Sequence, residues 1–529
     1  MDTIPKAAAW AAERYGSAPA LVSDSESLDF NAYVEQARRV ASALIAVGVQ
    51  KGDKVAIQAP NSVRFALCAL GIQLAGACLV PINTRFKPRE VAQVLADCDA
   101  RLLFTVDDFL GVSYAEGLLK LHAEDPEALH VVPPIVLLDD QRPDFDEFLA
   151  GTAAHAAWES RVASIEPDDI ATVLFTSGTT GRPKGATLTH GALVRSYWVW
   201  SGLTGLREGD RFLVSNPFFH AFGLMVGLLS AMMQGAVVYP MAVFNAEKAL
   251  ELIERERITY YPGPPTVFRE MLNSPELATR DLSSLRTCVT GATSIPPTLI
   301  DELFDVLGYD EVFIPYGFTE GTGIATITRS GDPRDVIKTT AGRALPGVEL
   351  EVRRADGSRA DVNEVGEIVL RGFNVMPGYL DPGTGQTRHE DSERWLASGD
   401  LGRLDERGNL AVVGRIKDLV IVGGFNVYPA EVEACLTAHP AVDAASVVGL
   451  PDERLGEVPF AFVVPATPED VDEAELHAWC RERLANFKVP RQFCIVSRLP
   501  MNASGKVLKK ELQNQASRWG ETGQVTESR

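Results

Sequence analysis

The sequence predicts an α/β protein: a large N-terminal domain of parallel βα layers plus a β-rich subdomain, followed by a smaller α+β C-terminal domain. Three observations carry that prediction. Short apolar runs alternate with helix-period segments from about residue 54 to residue 315, the pattern of largely parallel sheets covered on both faces. After residue 340 the texture changes to β-rich hairpins punctuated by Ala355-Asp-Gly-Ser and Asp405-Glu-Arg-Gly. From residue 416 a compact α+β pattern takes over.

Taken in order, residues 55–58 read as a strand, 62–75 as a helix and 77–82 as a second strand. A helix with proline near its start spans 88–98, and 102–106 is a further strand. The alternation returns at 236–240, 247–258, 286–290, 296–307 and 311–315. Residues 120–165 are acidic, contain proline and are weakly periodic, which predicts a surface excursion. Residues 515–529 read as a polar disordered tail. No internal repeat is present.

Composition bounds the function. A chain of 529 residues implies roughly three or four folding units. Hydrophobic residues at 46% and charged residues at 23% describe a globular protein with ample core. The formal net charge of −21 argues against a nucleic-acid binder, so an anionic ligand needs a locally basic pocket. The cysteines (68, 78, 98, 288, 435, 480, 494) form no C-x-x-C pair and no His/Cys cluster. They read as free thiols in a reducing compartment, which predicts a cytoplasmic protein. No secretory signal opens the sequence, and the final Thr-Glu-Ser-Arg is neither a peroxisomal nor a prenylation signal. Residues 65–82 and 221–240 approach the length of a membrane span. Each breaks at glycine and ends as a β-type run, so buried helix followed by strand is predicted and no integral membrane span.

Residues 176–185 read Thr-Ser-Gly-Thr-Thr-Gly-Arg-Pro-Lys-Gly and follow the apolar run 170–175. Gly178, Gly181 and Gly185 let backbone amides approach an anion. Thr176, Ser177, Thr179 and Thr180 add hydroxyl donors, and Arg182 and Lys184 add positive charge. The motif G-x-x-x-x-G-K-[ST] does not fit, because Pro183 stands where its second glycine belongs. Proline there also disfavours a helix start, so a phosphate-gripping loop is predicted. These ten residues, in this order, resemble the signature loop of the adenylate-forming enzymes. That superfamily holds acyl-CoA synthetases, luciferases and the adenylation domains of peptide synthetases.

The resemblance extends from about residue 25 to residue 512, weakest over 107–165, and implies ATP, Mg²⁺ and coenzyme A as cofactor and co-substrates. In Tyr316-Gly-Phe-Thr-Glu320, Glu320 together with Thr176 would approach Mg²⁺, which favours hard oxygen donors. Gly291, Ala292 and Thr293 resemble the segment that lies against adenine, with Tyr316 on its other face and Gly317 and Thr319 beside it. Asp400 and Arg415 match the two motifs that hold the ribose hydroxyls, as acceptor and donor. Lys506, in Asn502-Ala-Ser-Gly-Lys506, matches the catalytic lysine, a cation between a carboxylate and the phosphate it attacks.

Lys417 occupies the family's hinge position, about which a mobile C-terminal domain swings between half-reactions. It sets a boundary between residues 1–415 and 416–529. Gly423 and Gly424 resemble the strand lining the pantetheine tunnel. Asn216-Pro-Phe-Phe-His220 and Tyr261-Pro-Gly-Pro-Pro-Thr266 resemble the segments that enclose the acyl group. His220 would be the gate between the nucleotide and acyl sites, with Phe218, Phe222, Gly263, Thr266 and Phe318 against the substrate. An apolar pocket without a second acid receptor disfavours amino-acid and dicarboxylate substrates.

The implied activity is ATP-dependent formation of an acyl-CoA through an acyl-adenylate, from a small-molecule hydrophobic carboxylic acid. The motifs are most similar to bacterial fatty-acid-type CoA ligases, and among these to the branch that activates the indane-dione propanoate left by steroid A/B-ring degradation. The alternatives are a stand-alone adenylating enzyme that loads a carrier protein, an aryl-CoA ligase, a luciferase-type monooxygenase, and a non-catalytic nucleotide sensor. The sequence leaves open whether the chain forms a homodimer.

Overall fold

The computed structural model describes residues 1–139, 142–150, 156–176, 183–291, 295–382, 384–391, 394–467, 471–501 and 507–522. Two large sheets dominate the N-terminal part. The first has eight strands, in the order Gln386–His389, Gly378–Asp381, Lys184–Thr189, Ile170–Thr176, Cys78–Pro81, Lys54–Gln58, Ala100–Thr105 and Ile135–Leu137. Its half from Ile170–Thr176 to Ile135–Leu137 is parallel and the remainder antiparallel.

The second has seven strands: Glu311–Phe313, Thr287–Thr290, Tyr260–Gly263, Arg211–Val214, Val237–Pro240, Pro19–Val22 and Ser27–Asp29. All neighbours are parallel except the last pair. One core joins the two sheets, running from Val55 and Ile57 to Phe212 and Val238. Helix Val63–Leu74 fits there because all of it except Arg64 is apolar or buried, a pattern that leaves no face for water.

A four-stranded antiparallel sheet, Val348–Arg353, Gly366–Gly372, Leu396–Leu404 and Leu410–Arg415, forms the β-rich part. From Val420 onward the chain builds its own five-stranded sheet, with helices Pro429–Thr437, Glu473–Arg483 and Lys509–Thr522. Its apolar contacts are local: Val432, Leu436, Val463 and Leu476 on one face, Phe460, Phe462 and Leu512 on the other.

Three expectations need correction. Parts of the acidic stretch 120–165 are built into the fold: Ile135–Leu137 extends the first sheet, and helix Asp144–Ala150 buries Phe145 and Leu149. Two apolar residues spaced i, i+4 suffice for so short a helix and give no visible periodicity. The tail from 515 is entered by helix Lys509–Thr522, which buries Leu512 and Ala516 completely by the same spacing. Finally, the apolar run after His220 winds as a π-helix, Phe222–Leu229, before the α-helix Ser230–Gln234. Such helices are rare and concentrate at functional sites. Gly223 permits the tight entry, since a Cβ there would lie 2.2 Å from the Pro217 carbonyl oxygen. Among the described residues, no helix is long and apolar enough to cross a membrane.

His190 ties the N-terminus to this core. It opens helix His190–Thr204 behind the cap Thr189, and its Nδ1 accepts the Ile4 amide at 3.4 Å. Burial pushes the imidazole down to about 4, so the folded ring is neutral. As pH falls from about 6.5 toward 4 the unfolded chain binds a proton that the folded chain refuses, and stability declines with it. Denaturation midpoints measured across that window should fall for the native sequence and fall less steeply for His190→Gln. Equal slopes would remove His190 as the cause.

Candidate active site

Four parallel strands of the second sheet, Arg211–Val214, Tyr260–Gly263, Thr287–Thr290 and Glu311–Phe313, end side by side. Ligands of open α/β sheets bind outside such carboxyl ends. The chain beyond each end carries a predicted site segment, so the topology brings His220, Thr266, Gly291 and Tyr316 to one rim. Gly263 pairs with Thr290, which precedes Gly291. A Cβ on Gly291 would meet Pro315 at 3.2 Å, and one on Gly317 would meet the Gly323 carbonyl oxygen at 2.4 Å. Both positions therefore hold the loops in close approach.

Asp400 is the junction of the site. Its strand pairs with Leu410–Arg415 so that Asp400 faces Arg415. Arg415 Nε reaches Asp400 Oδ1 at 3.1 Å, while the Tyr316 hydroxyl donates to Oδ2 at 2.8 Å. The carboxylate is buried and the guanidinium partly open. Burial, then the charge of Asp400, holds the Tyr316 phenol protonated, so it remains a donor. Its ring neighbours Phe318 at 6.2 Å.

A second cluster forms at the strand ends that flank residues 177–182. Thr176 and Lys184 face each other across the hairpin base, Thr176 Oγ1 donating to the Lys184 carbonyl at 3.4 Å. Lys184 Nζ sits 5.4 Å from the centre of the Tyr379 ring. The Tyr379 hydroxyl donates to Glu320 Oε1 at 2.6 Å, and Thr319 and Glu320 lie in a short 3₁₀ turn. The Met376 amide fixes that turn through the Glu320 carbonyl at 2.8 Å. Glu320 and Thr176 thus offer hard oxygen donors beside a cation, a donor set that suits Mg²⁺ bound to phosphates.

Beyond strand Arg211–Val214, His220 is half-buried and its Nδ1 accepts the Phe222 amide at 3.2 Å. Phe222 is partly buried at the start of the π-helix, whereas Phe218 is fully buried and packs on Phe65, ring centres 5.4 Å apart. Gly263 is buried and Thr266 partly so, at the start of helix Pro265–Leu272.

Lys417 is exposed in the 3₁₀ turn Ile416–Asp418. Gly423 and Gly424 do not lie within a strand as expected. They are the exposed turn of the hairpin Val420–Val422 and Phe425–Val427, with φ of +57° and +87°. A two-residue hairpin needs two positive φ values, which glycine adopts without strain. Ser177, Gly178, Thr179, Thr180, Gly181, Arg182, Ala292, Thr293 and Lys506 lie outside the described residues.

Two residues escaped the sequence reading. Tyr379 is one strand residue among several, and only its pairing with Ala186 places it beside Glu320. Buried Asn61 holds the turn at 216–218: it accepts the Phe218 amide at 2.7 Å and donates to the Asn216 carbonyl at 2.8 Å. A lone amide between apolar segments was the available signal.

The profile of the AMP-binding enzyme matches residues 8–380, and that of the AMP-binding enzyme C-terminal domain matches residues 431–506. The chain belongs to the AMP-binding enzyme family. It is similar to the 3-[(3aS,4S,7aS)-7a-methyl-1,5-dioxo-octahydro-1H-inden-4-yl]propanoyl:CoA ligase of Rhodococcus jostii, at 39% identity over 97% of this chain and 98% of that one. The ligase of the same description from Mycobacterium tuberculosis is 43% identical over 89% of this chain and 91% of its own length. Among solved structures, the anthranilate CoA ligase AuaEII in complex with anthranoyl-AMP superposes with a TM-score of 0.87 at 28% identity, covering 98% of each chain. ATP-bound MatB from Rhodopseudomonas palustris superposes at 0.85 with 29% identity, over 96% of this chain and 98% of that one. This AMP-binding enzyme is an AMP-forming acyl-CoA synthetase that uses ATP, Mg²⁺ and coenzyme A.

Tyr316→Phe keeps the ring and deletes the hydrogen bond to a buried charge. It should raise KM for ATP by about tenfold, the value of a charged hydrogen bond of roughly 1.5 kcal/mol. Steady-state kinetics at saturating acid and CoA give the answer, and an unchanged KM would detach Tyr316 from the nucleotide.

Proposed function

We propose that this acyl-CoA ligase activates a propanoate carried on an apolar fused-ring ketone, the indene-dione class named for its relatives. The supporting observation is the extent of the match, 39% and 43% identity to two such ligases along nearly the whole chain. The segment beyond His220 agrees with it: Phe222 is apolar and only partly buried at the start of the π-helix, a side chain suited to a ring system.

In this reading the residues divide the work. Tyr316, Asp400 and Arg415 orient the nucleoside, with the carboxylate held ready for hydroxyl donors by its two partners. Thr176, Ser177, Gly178, Thr179, Thr180, Gly181 and Lys184 take the β- and γ-phosphates that depart as pyrophosphate. Glu320 and Thr176 would hold Mg²⁺, which neutralises phosphate charge when bound. Gly291, Ala292 and Thr293 lie against adenine, and His220 separates nucleotide from acid. Lys506 lowers the repulsion between the substrate carboxylate and the α-phosphate, so that the carboxylate oxygen attacks phosphorus and pyrophosphate leaves. The CoA thiol then attacks the acyl carbon and AMP departs.

The two steps need different faces of the C-terminal part. We place the boundary at residue 416, with Lys417 as hinge, because the residues from Val420 on have separate apolar cores and Lys417 is exposed. The Gly423–Gly424 turn would then approach the pantetheine arm as the tip of a hairpin. The free cysteines agree with a cytoplasmic setting.

Two experiments test this reading. Pyrophosphate release with free CoA, screened across medium-chain, long-chain, aryl and polycyclic acids, should give the highest kcat/KM with the indene-dione propanoate. A higher value for a straight-chain acid would overturn the substrate assignment. Lys506→Ala should abolish acyl-adenylate formation yet still convert supplied acyl-AMP to thioester; loss of both half-reactions to the same extent would remove Lys506 from its role.

A further inference from the structure

Among the described residues, the C-terminal part contains a mostly buried ion pair that joins three elements. Glu433 points inward from helix Pro429–Thr437 and Lys509 is the first residue of helix Lys509–Thr522, with Nζ 2.7 Å from Glu433 Oε1. Their side chains are 11% and 27% exposed. The same carboxylate oxygen accepts the Val447 amide at 2.8 Å, and Lys509 Nζ donates to the Val447 carbonyl at 3.3 Å. The pair therefore brackets one residue, Val447, of strand Val442–Asp452.

Stability does not explain such an arrangement. A buried ion pair loses hydration roughly in proportion to what it gains, and an apolar pair of similar size is often as stable. What it supplies is register. Leu512 and Ala516 hold the last helix against Phe460 and Phe462, but apolar contacts restrain sliding and rotation weakly. A slip of one residue moves a helix about 1.5 Å along its axis and turns it by about 100°. Just before this helix the chain is pinned again, by the bridge of Met501 to Val507 and by the Leu508 amide to the Pro500 carbonyl at 2.8 Å. Lys506 immediately precedes those anchors, three residues before Lys509.

We propose that Glu433 is a positioning residue for adenylation, its ion pair with Lys509 fixing the base of the segment that carries Lys506. This rests on the catalytic reading of Lys506. The pantetheine side is held independently, since the Gly423–Gly424 hairpin is closed by its own strand bonds and by Val422 pairing with Gly456. The effect is thus confined to the first half-reaction. A misplacement near 1 Å costs up to about a hundredfold in rate, so a tenfold loss is a conservative expectation.

The test compares the native enzyme, Glu433→Gln, Lys509→Met, Lys509→Arg and Lys506→Ala. Two readouts are needed: ATP–pyrophosphate exchange for adenylation, and thioester formation from supplied acyl-AMP and CoA. Glu433→Gln and Lys509→Met should lower kcat for exchange by about tenfold, with KM for ATP and the thioester step unchanged. Lys509→Arg keeps the charge and should recover most of the exchange. Parallel loss of both half-reactions, as a folding defect gives, would overturn the proposal, as would unchanged exchange in Glu433→Gln and Lys509→Met. If Lys506→Ala abolishes exchange while those two variants do not, the anchor alone fails. If Lys506→Ala leaves exchange intact, the reading of Lys506 fails and the anchor falls with it.

Discussion

Asp400 is the point at which the chain's separate parts are made to agree. A carboxylate taken from water must be paired and hydrogen-bonded or lose its charge. Asp400 meets that demand with Tyr316 from beyond the second sheet and Arg415 from the last strand of the β-rich sheet. One residue after Arg415 the exposed turn at Ile416–Asp418 begins. The contacts of one side chain thus tie the α/β layers, the β-rich sheet and the entry to the C-terminal part into one arrangement.

Much of this was legible in the sequence because the physics is local. Alternating apolar runs and helix-period segments located the strands at 54–58, 78–81, 237–240 and 287–290, since burial of both faces of a parallel sheet writes itself into composition. The motifs around Thr176, Glu320, Asp400 and Arg415 were readable for a related reason: each is a run of particular residue types over a few consecutive positions. The remainder depended on contacts distant along the chain. Tyr379 reaches Glu320 only through the antiparallel edge of the first sheet, and Asn61 supports the turn before His220 from over a hundred and fifty residues away. The Gly423–Gly424 turn was mistaken for strand because two glycines between β-type residues fit either, and only the sign of φ decides.

The acyl side shows a different economy. The π-helix Phe222–Leu229 begins two residues after His220 and is seated by Gly223 against the Pro217 carbonyl. A widened helix presents its side chains at a different spacing from an α-helix, so the wall it builds is specific to this local winding rather than to the fold. The cluster of Thr176, Lys184, Tyr379 and Glu320 is polar and assembled from the ends of strands. In the proposed reading, recognition of the acid and handling of ATP would thereby fall on elements that can change separately.

The central claim is that one rim of strand ends, completed by Asp400, holds the acyl-adenylate. A crystal structure with a non-hydrolysable acyl-sulfamoyl adenosine tests it most directly. The predicted result is ribose hydroxyls within hydrogen-bond distance of Asp400, adenine beside Tyr316 and Gly291, and the acyl group beyond His220 against Phe222. A ligand bound with its ribose away from Asp400, or with its acyl group outside the His220 side of the rim, would contradict the account.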